Sequence, residues 1–477
     1  MGADRPNIVF IHTDQQRFDT IAALGFDYMD TPNLDRLVEE GVAFTRSFVS
    51  APSCAPSRAS IFTGYFPHTT GVLENMDVWT HSWVEQLADV GYHCVNVGKM
   101  HTMPWETPLG FHERYVVENK DRYRGDRWYV DEWDKVLRAR GLTKPSRATY
   151  AEWPDWQERL GAYEWPLPED MHPDNFVGDL AIWWLDYQPK TVPLFMSLGF
   201  PGPHPPYDPV ESYAAPYLGK DLPIQDFTEA EIASQPATYR ATRKKMLGYN
   251  PDAVCHLENP DREQRHRQRA YYLANVTMID EKIGELIDAL ERNNYLDNTV
   301  IIFISDHGDN LGDHGHSQKF TFYEPVVRTP CIVWAPGRFV GGRQLDDLVQ
   351  TMDVGPTILE LAGLEPDESV EAQSLMPLLD GEVGAGGREY VFSEHGRDFY
   401  VTNTDFATMI RDKSWKLVHF LGHKDGVLTD LENDPEEIEN LWDDPAHAAT
   451  KDRLLGALRD WLIGSNHHTR NRTADSR

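Results

Sequence analysis

Apolar residues along the chain fall into two kinds of run. Ile8-Val9-Phe10-Ile11 is short and continuous, the pattern of a strand buried on both faces, and it ends in His12-Thr13-Asp14-Gln15. The same form recurs at 93–97, before Gly98-Lys99-Met100-His101, and at 193–198, before Gly202-Pro203-His204. It recurs again at 299–305, before Asp306-His307-Gly308-Asp309, and at 331–334. The second kind of run has helical spacing. It predicts helices over 31–41, 83–90, 176–187 and 353–364, and one long helix over 262–294 with Val276, Ile279, Ile283, Leu286, Ile287 and Leu290 on a single stripe. Strands alternating with helices predict an α/β fold built on a large, mostly parallel mixed sheet covered by helices.

The pattern changes twice. From about 105 to 168 it becomes irregular and aromatic, with Trp128, Trp133, Trp153, Trp156 and Trp165, and this predicts a packed insertion that covers a site. Beyond 387, short apolar runs at 390–392, 407–410, 415–418 and 427–431 alternate with turn residues and predict a small antiparallel sheet. A last helix is expected around 453–462, with a frayed polar tail from His467. The expected division is a large domain over 1–386 and a small α+β domain over 387–477 that completes the fold.

Composition narrows the partners. The 477 residues carry a net charge of −31, which argues against nucleic acid and against an anionic membrane surface. An anionic small molecule would also meet a repulsive overall field, so a site for one has to be a local cluster of Arg, Lys, His and metal. The four cysteines (Cys54, Cys94, Cys255, Cys331) are scattered without a CxxC pair, which argues against a structural zinc site and a disulfide framework. Met1 to Pro6 leads straight into the first strand with no apolar leader, and no run approaches a membrane span, so a cytoplasmic protein is expected.

Candidate chemistry centres on Ser53-Cys54-Ala55-Pro56-Ser57-Arg58. Pro56 and Ser57 suit the first turn of a short helix and Gly64 its end. Cys54 then stands at a helix start, where free N–H groups and the positive dipole end favour an anion. Arg58, one turn along, adds a planar cation that can hold sulfate or phosphate oxygens in two places. Taken alone, the pair also reads as a buried cysteine beside a surface arginine. The strand ends shift that balance. Asp14, Lys99 with His101, His204, and Asp306 with His307 all fall at C-terminal strand ends, the edge where open α/β sheets place ligands. With Lys319 they make a metal and acid–base site.

Cys54-x-Pro56-Ser57-Arg58, followed by Thr63-Gly64, resembles the signature of the type I sulfatases of the alkaline phosphatase superfamily. The order of Asp14, Gly98-Lys99-x-His101, His204, Ser305-Asp306-His307-Gly308-Asp309-x-x-Gly312-x-His314-Gly315, Lys319 and Leu431-x-x-Asp434-Pro435-x-Glu437 is similar to the family from about 6 to 445. The resemblance implies that Cys54 is oxidised to formylglycine (3-oxoalanine) by a formylglycine-generating enzyme. It implies that Asp14, Asp306, His307 and the modified Cys54 bind one divalent cation, with Gln15 as a neighbour or further ligand. Many members carry two aspartates where this chain has Thr13-Asp14, which leaves calcium and manganese both open. Arg58, Lys99 and Lys319 would spread charge on the transferring group, His204 or Lys319 would protonate the leaving alcohol, and His101 would help expel sulfate. Asn75 matches an anion-contacting position of the phosphonate hydrolase branch and reads equally as a turn asparagine. The implied activity is hydrolysis of a small organic sulfate monoester. The alternative is a phosphonate monoester or phosphodiester hydrolase using the same site, suggested by the similarity of Asp14-Gln15 to choline sulfatase-like enzymes and phosphonate hydrolases. Related enzymes often assemble through their insertions and C-terminal segments, which admits a homo-oligomer.

Overall fold

A computed structural model describes residues 5–118, 129–188, 190–247, 253–365, 367–382 and 385–469. Its large sheet contains β1 (Asn7–Asp14), β2 (Val42–Phe48), β3 (His93–Gly98), β4 (Glu113–Val116), β5 (Leu194–Pro203), β6 (Thr299–Ser305), β7 (Arg328–Thr329), β8 (Cys331–Trp334) and β9 (Arg343–Gln350). The strand order is β4-β3-β5-β1-β6-β8-β2-β7, with β9 also paired to β2. From β4 to β6 every neighbouring pair is parallel, whereas β8 runs antiparallel to both β6 and β2. The sheet is therefore mixed and mostly parallel on the side that carries the strand-end residues. β1 lies between β5 and β6, so Asp14 ends the strand between those that deliver His204 and Asp306.

The continuous apolar runs become double-faced strands because helices cover both sides. Val9 and Ile11 face one core with Val177, Ala181, Ile279 and Ile283, from the helices Pro173–Tyr187 and Arg262–Arg292. Ile8 and Phe10 face the other, with Ala59, Phe62, Val354 and Ile358 from the helices Cys54–Thr63 and Val354–Leu361. The two-residue period of a strand accounts for this division.

The small sheet is an antiparallel meander of β10 (Val391–Gly396), β11 (Phe406–Arg411), β12 (Trp415–Phe420) and β13 (Gly426–Asp430). Buried Glu324 ties it to the large sheet, accepting from Arg411 Nε at 3.1 Å and Lys416 Nζ at 3.3 Å. The last helix runs Ala448–Thr469, so the tail expected to fray from His467 is helical through Thr469, and 470–477 lie outside the described residues. Its Ser465 hydroxyl lies 2.6 Å from His68 Nε2 and also donates to Glu371, which anchors the final turns.

The aromatic insertion is packed, as its composition predicts, but its tryptophans mostly hold it together. Trp133 is fully buried, donates to Met171 O at 3.0 Å and stacks near Trp165. Trp153 and Trp156 pack on Tyr150 and Tyr163. Trp128 lies outside the described residues. Backbone hydrogen bonds from Tyr163 N to Tyr207 O and from Tyr207 N to Gly161 O fasten the insertion to the loop that carries His204.

Candidate active site

The site forms where the helix Cys54–Thr63 points its N-terminus at the ends of β1 and β6. Ser53 is extended at φ −159, Cys54 opens the helix, and Gly64 closes it in the left-handed conformation at φ 78. Cys54 is 1% exposed. Its Sγ lies 2.8 Å from Lys319 Nζ, 3.2 Å from His307 Nε2 and 3.6 Å from Asp14 Oδ1. Facing donor atoms of Asp14, Cys54, Asp306 and His307 all fall within 4.8 Å of one another.

Each member of this group is held from behind. Arg58 Nε donates to Asp306 Oδ2 at 2.7 Å, and its Nη1 donates to His12 Nδ1 and to Lys99 O, both at 2.9 Å. Lys99 Nζ pairs directly with Asp14 Oδ2. His307 Nδ1–H donates to its neighbour's carbonyl, Gly308 O, at 2.9 Å, which leaves Nε2 as the face toward the centre. The Gln15 backbone is left-handed, at φ 74, and its N–H reaches Asp306 Oδ1 at 3.0 Å. That turn breaks the alternation of the strand and brings residue 15 to the same side as residue 14.

The electrostatics follow from burial and crowding. Burial opposes ionisation of Asp14, but Lys99, His204, Lys319 and Arg58 outweigh it and hold the carboxyl well below its usual range. Burial and Asp14 push the Cys54 thiol up, while Lys319, Lys99 and His307 bring it down overall. Burial disfavours charge on His307, yet Asp306 above all raises its affinity for a proton. Burial, reinforced by Arg58, lowers His12 strongly, so it stays neutral and accepts from the guanidinium.

Of the residues singled out from the sequence, Cys54, Asp14, Asp306, His307, Arg58, Lys99, Lys319 and Gln15 form one contiguous network. His204 is buried beside it, with its Nδ1 on Pro205 O at 2.8 Å. His101 is buried and left-handed at φ 59. Its N–H is held by Glu118 Oε1 at 3.1 Å and its ring stacks on Trp105. Asn75 is more than a turn asparagine: its Oδ1 accepts from Ala55 N at 3.0 Å and Ser53 Oγ at 3.1 Å, capping the helix that starts at Cys54.

Four supporting residues were given no role from the sequence: His12, Glu118, Tyr207 and Asp309. His12 was accessible through strand alternation, since it precedes Asp14 by two residues and shares its face. Asp309 Oδ2 accepts from both Gln15 Nε2 and Tyr207 OH at 2.6 Å, a junction of distant segments with no local signature.

The family model described as Sulfatase matches residues 6–364. The chain belongs to the sulfatase family. The C-terminal part of the sulfatase, residues 312–462, matches the model described as N-sulphoglucosamine sulphohydrolase, C-terminal. The sulfatase is 30% identical over 476 residues to an arylsulfatase of Clostridium perfringens (strain 13 / Type A), covering 96% of this chain and 95% of that protein. It is 29% identical over 480 residues to a choline-sulfatase of Rhizobium meliloti (strain 1021), covering 96% and 86%. Among solved structures, the phosphonate monoester hydrolase of Agrobacterium radiobacter has a TM-score of 0.80 at 27% identity, covering 97% of this chain and 96% of that one. The sulfatase therefore has the alkaline phosphatase-like architecture that its strand-end pattern predicts.

Proposed function

We propose that this sulfatase hydrolyses small organic sulfate monoesters at Cys54 after that residue is oxidised to formylglycine. The observation that carries the reading is the enclosure of Cys54 Sγ, with Lys319, His307 and Asp14 around it and Arg58 and Lys99 behind. In the mature enzyme an oxygen of the modified side chain takes the place of this Sγ.

The donors suit one divalent cation. Asp14 and Asp306 offer carboxylates, and His307 offers Nε2 with its other nitrogen committed. His307 Nε2 lies 3.8 Å from Asp14 Oδ1 and 3.7 Å from Asp306 Oδ1, the separations of atoms that share an ion at about 2.1–2.5 Å. An imidazole among oxygens leaves manganese as well as calcium acceptable. When present, the cation supplies Lewis acidity toward an ester oxygen, and the hydrated aldehyde supplies two hydroxyls, one to attack sulfur and one whose collapse expels sulfate.

The chain's own residues then divide the work. Asp306 accepts the proton of the attacking hydroxyl. Arg58, Lys99 and Lys319 stabilise negative charge as the sulfur–oxygen bond to the alcohol breaks, in a site closed enough for such charges to act strongly. His204, or Lys319, delivers the proton that the departing alcoholate needs. His101 takes the proton of the second hydroxyl. The burial of the whole group keeps water from competing at sulfur.

The Asp14-Gln15 pair and His307 also suit a phosphonate monoester or phosphodiester, and the 0.80 TM-score to a phosphonate monoester hydrolase supports that second reading. Lys99 and His101 together favour sulfate. The deciding experiment compares kcat/KM for matched aryl sulfate and aryl phosphonate esters, with peptide mass spectrometry at Cys54 on the same preparation. Sulfate preference with an aldehyde at position 54 is expected. A clear phosphonate preference overturns the substrate assignment, and an intact thiol in fully active enzyme overturns the nucleophile.

A further inference from the structure

Lys319 sits between two residues with left-handed backbones, Gln318 at φ 60 and Phe320 at φ 77. Residues with side chains rarely adopt this conformation unless their surroundings impose it. Between them, Lys319 Nζ is held at 2.8 Å from Cys54 Sγ and 3.0 Å from Gln15 Oε1. The support comes from Asn310, which is fully buried. Its backbone N–H and its Nδ2 both donate to Gln318 O, at 2.7 and 2.8 Å. Its Oδ1 accepts from Thr321 Oγ1 at 3.1 Å. One side chain thus grips the loop on both sides of Lys319. Asn310 is itself fixed, because its carbonyl accepts from Asp313 N at 2.9 Å and Arg17 Nη1 at 3.3 Å.

We propose that Asn310 is a positioning residue for catalysis, holding the strained loop 318–321 so that the Lys319 ammonium meets the nucleophile at position 54. It stands four residues beyond Asp306 and so ties the placement of the ammonium to the strand end that carries Asp306 and His307. The side chain suits both jobs, with an amide N–H for the Gln318 carbonyl and an amide oxygen for the Thr321 hydroxyl. An aspartate of the same shape would set an oxygen against Gln318 O.

The inference rests on Lys319 acting at the reacting group, and a double-mutant cycle separates the two ideas. Asn310→Asp and the milder Thr321→Val are each made in the parent and in Lys319→Ala, and kcat and KM are measured on whichever nitrophenyl ester the parent turns over. In the parent, Asn310→Asp should lower kcat about 10- to 100-fold with KM changed less than about threefold, and Thr321→Val should lower kcat by about two- to fivefold. In Lys319→Ala, both substitutions should change kcat less than about twofold. Equal losses in both backgrounds, or no loss in the parent, overturn the positioning role. An unchanged kcat in Lys319→Ala alone instead overturns the role of Lys319 and the proposal with it. Thr321→Val keeps the cycle readable if Asn310→Asp fails to fold, because it removes one hydroxyl and conserves volume.

Discussion

Asp309 decides which way round the amide of Gln15 lies. Its Oδ2 accepts from Gln15 Nε2 at 2.6 Å, so the amide oxygen must turn to Lys319 Nζ, 3.0 Å away. Tyr207 OH donates to the same Oδ2 at 2.6 Å and keeps the carboxylate from rotating. Asp309→Ala should free the amide to invert and present its N–H₂ to an ammonium. We expect kcat on an aryl ester to fall about 10- to 100-fold, with a comparable loss in affinity for the activating cation. Steady-state kinetics against titrated cation would check both. A variant with parental kcat and cation dependence would mean that Gln15 needs no such anchor.

Arg58 is the buried counter-charge of this centre and the partner of three segments at once. Removing it in Arg58→Ala leaves Asp306 without its guanidinium, and unfolding in denaturant should show a loss of about 3–5 kcal/mol. Arg58→Lys should recover much of that stability but little of the activity. A single ammonium cannot reproduce contacts to Asp306, His12 Nδ1 and Lys99 O together. Equal recovery of stability and kcat in the lysine variant would contradict this.

Glu324 gives the attachment of the small sheet an acid limit. Burial opposes its ionisation, but Arg411, Lys416 and Arg328 bring the carboxyl down to about 2. A carboxyl lowered in the folded state adds stability above its ordinary value near 4.5, and that stability is lost as pH falls from there through about 2. The melting temperature of the parent should therefore drop more steeply below about pH 4.5 than that of Glu324→Gln, which is less stable at neutral pH because Arg411 loses its carboxylate while Lys416 keeps only Glu437. Parallel curves would show that another group sets the acid limit.

Trp133 tests whether the insertion's tryptophans serve packing or substrate. Its ring is fully buried among Trp165, Leu137 and Met171, so Trp133→Ala should cost about 3–5 kcal/mol. KM should remain parental. A changed KM with unchanged stability would return the ring to the substrate side.

The strand ends were legible because buried strands tolerate polar residues only where they stop. Asp14, Lys99, His204 and Asp306 each follow an apolar run, so the pattern located the site as well as the sheet. Strands β2, β4, β7 and β9 were not legible. Arg343–Gln350 mixes charged and apolar residues on a partly exposed strand, and Glu113–Val116 is too short to show a period. At the start of the tail, local polarity predicts fraying at His467, whereas the helix continues through Thr469 because Ser465 is bound by His68 and Glu371, residues 397 and 94 positions away. Asp309 and Tyr207 carry the same lesson inside the site. Their 102-residue separation hides a junction made by the parallel order of β5, β1 and β6.

That order also imposes a schedule on the protein's manufacture. Cys54 emerges early from the ribosome, but the lysine that seals it follows 265 residues later. In the finished protein the thiol is closed off at 1% exposure, beyond the reach of another macromolecule's active centre. Under the proposed formylglycine chemistry, a maturation enzyme for Cys54 would have an interval set by translation, roughly 10–50 s at 5–20 residues per second. On that proposal, slowing synthesis between these two residues would lengthen the opportunity for oxidation, and a chain that folded without it would carry its unaltered thiol inside a closed door.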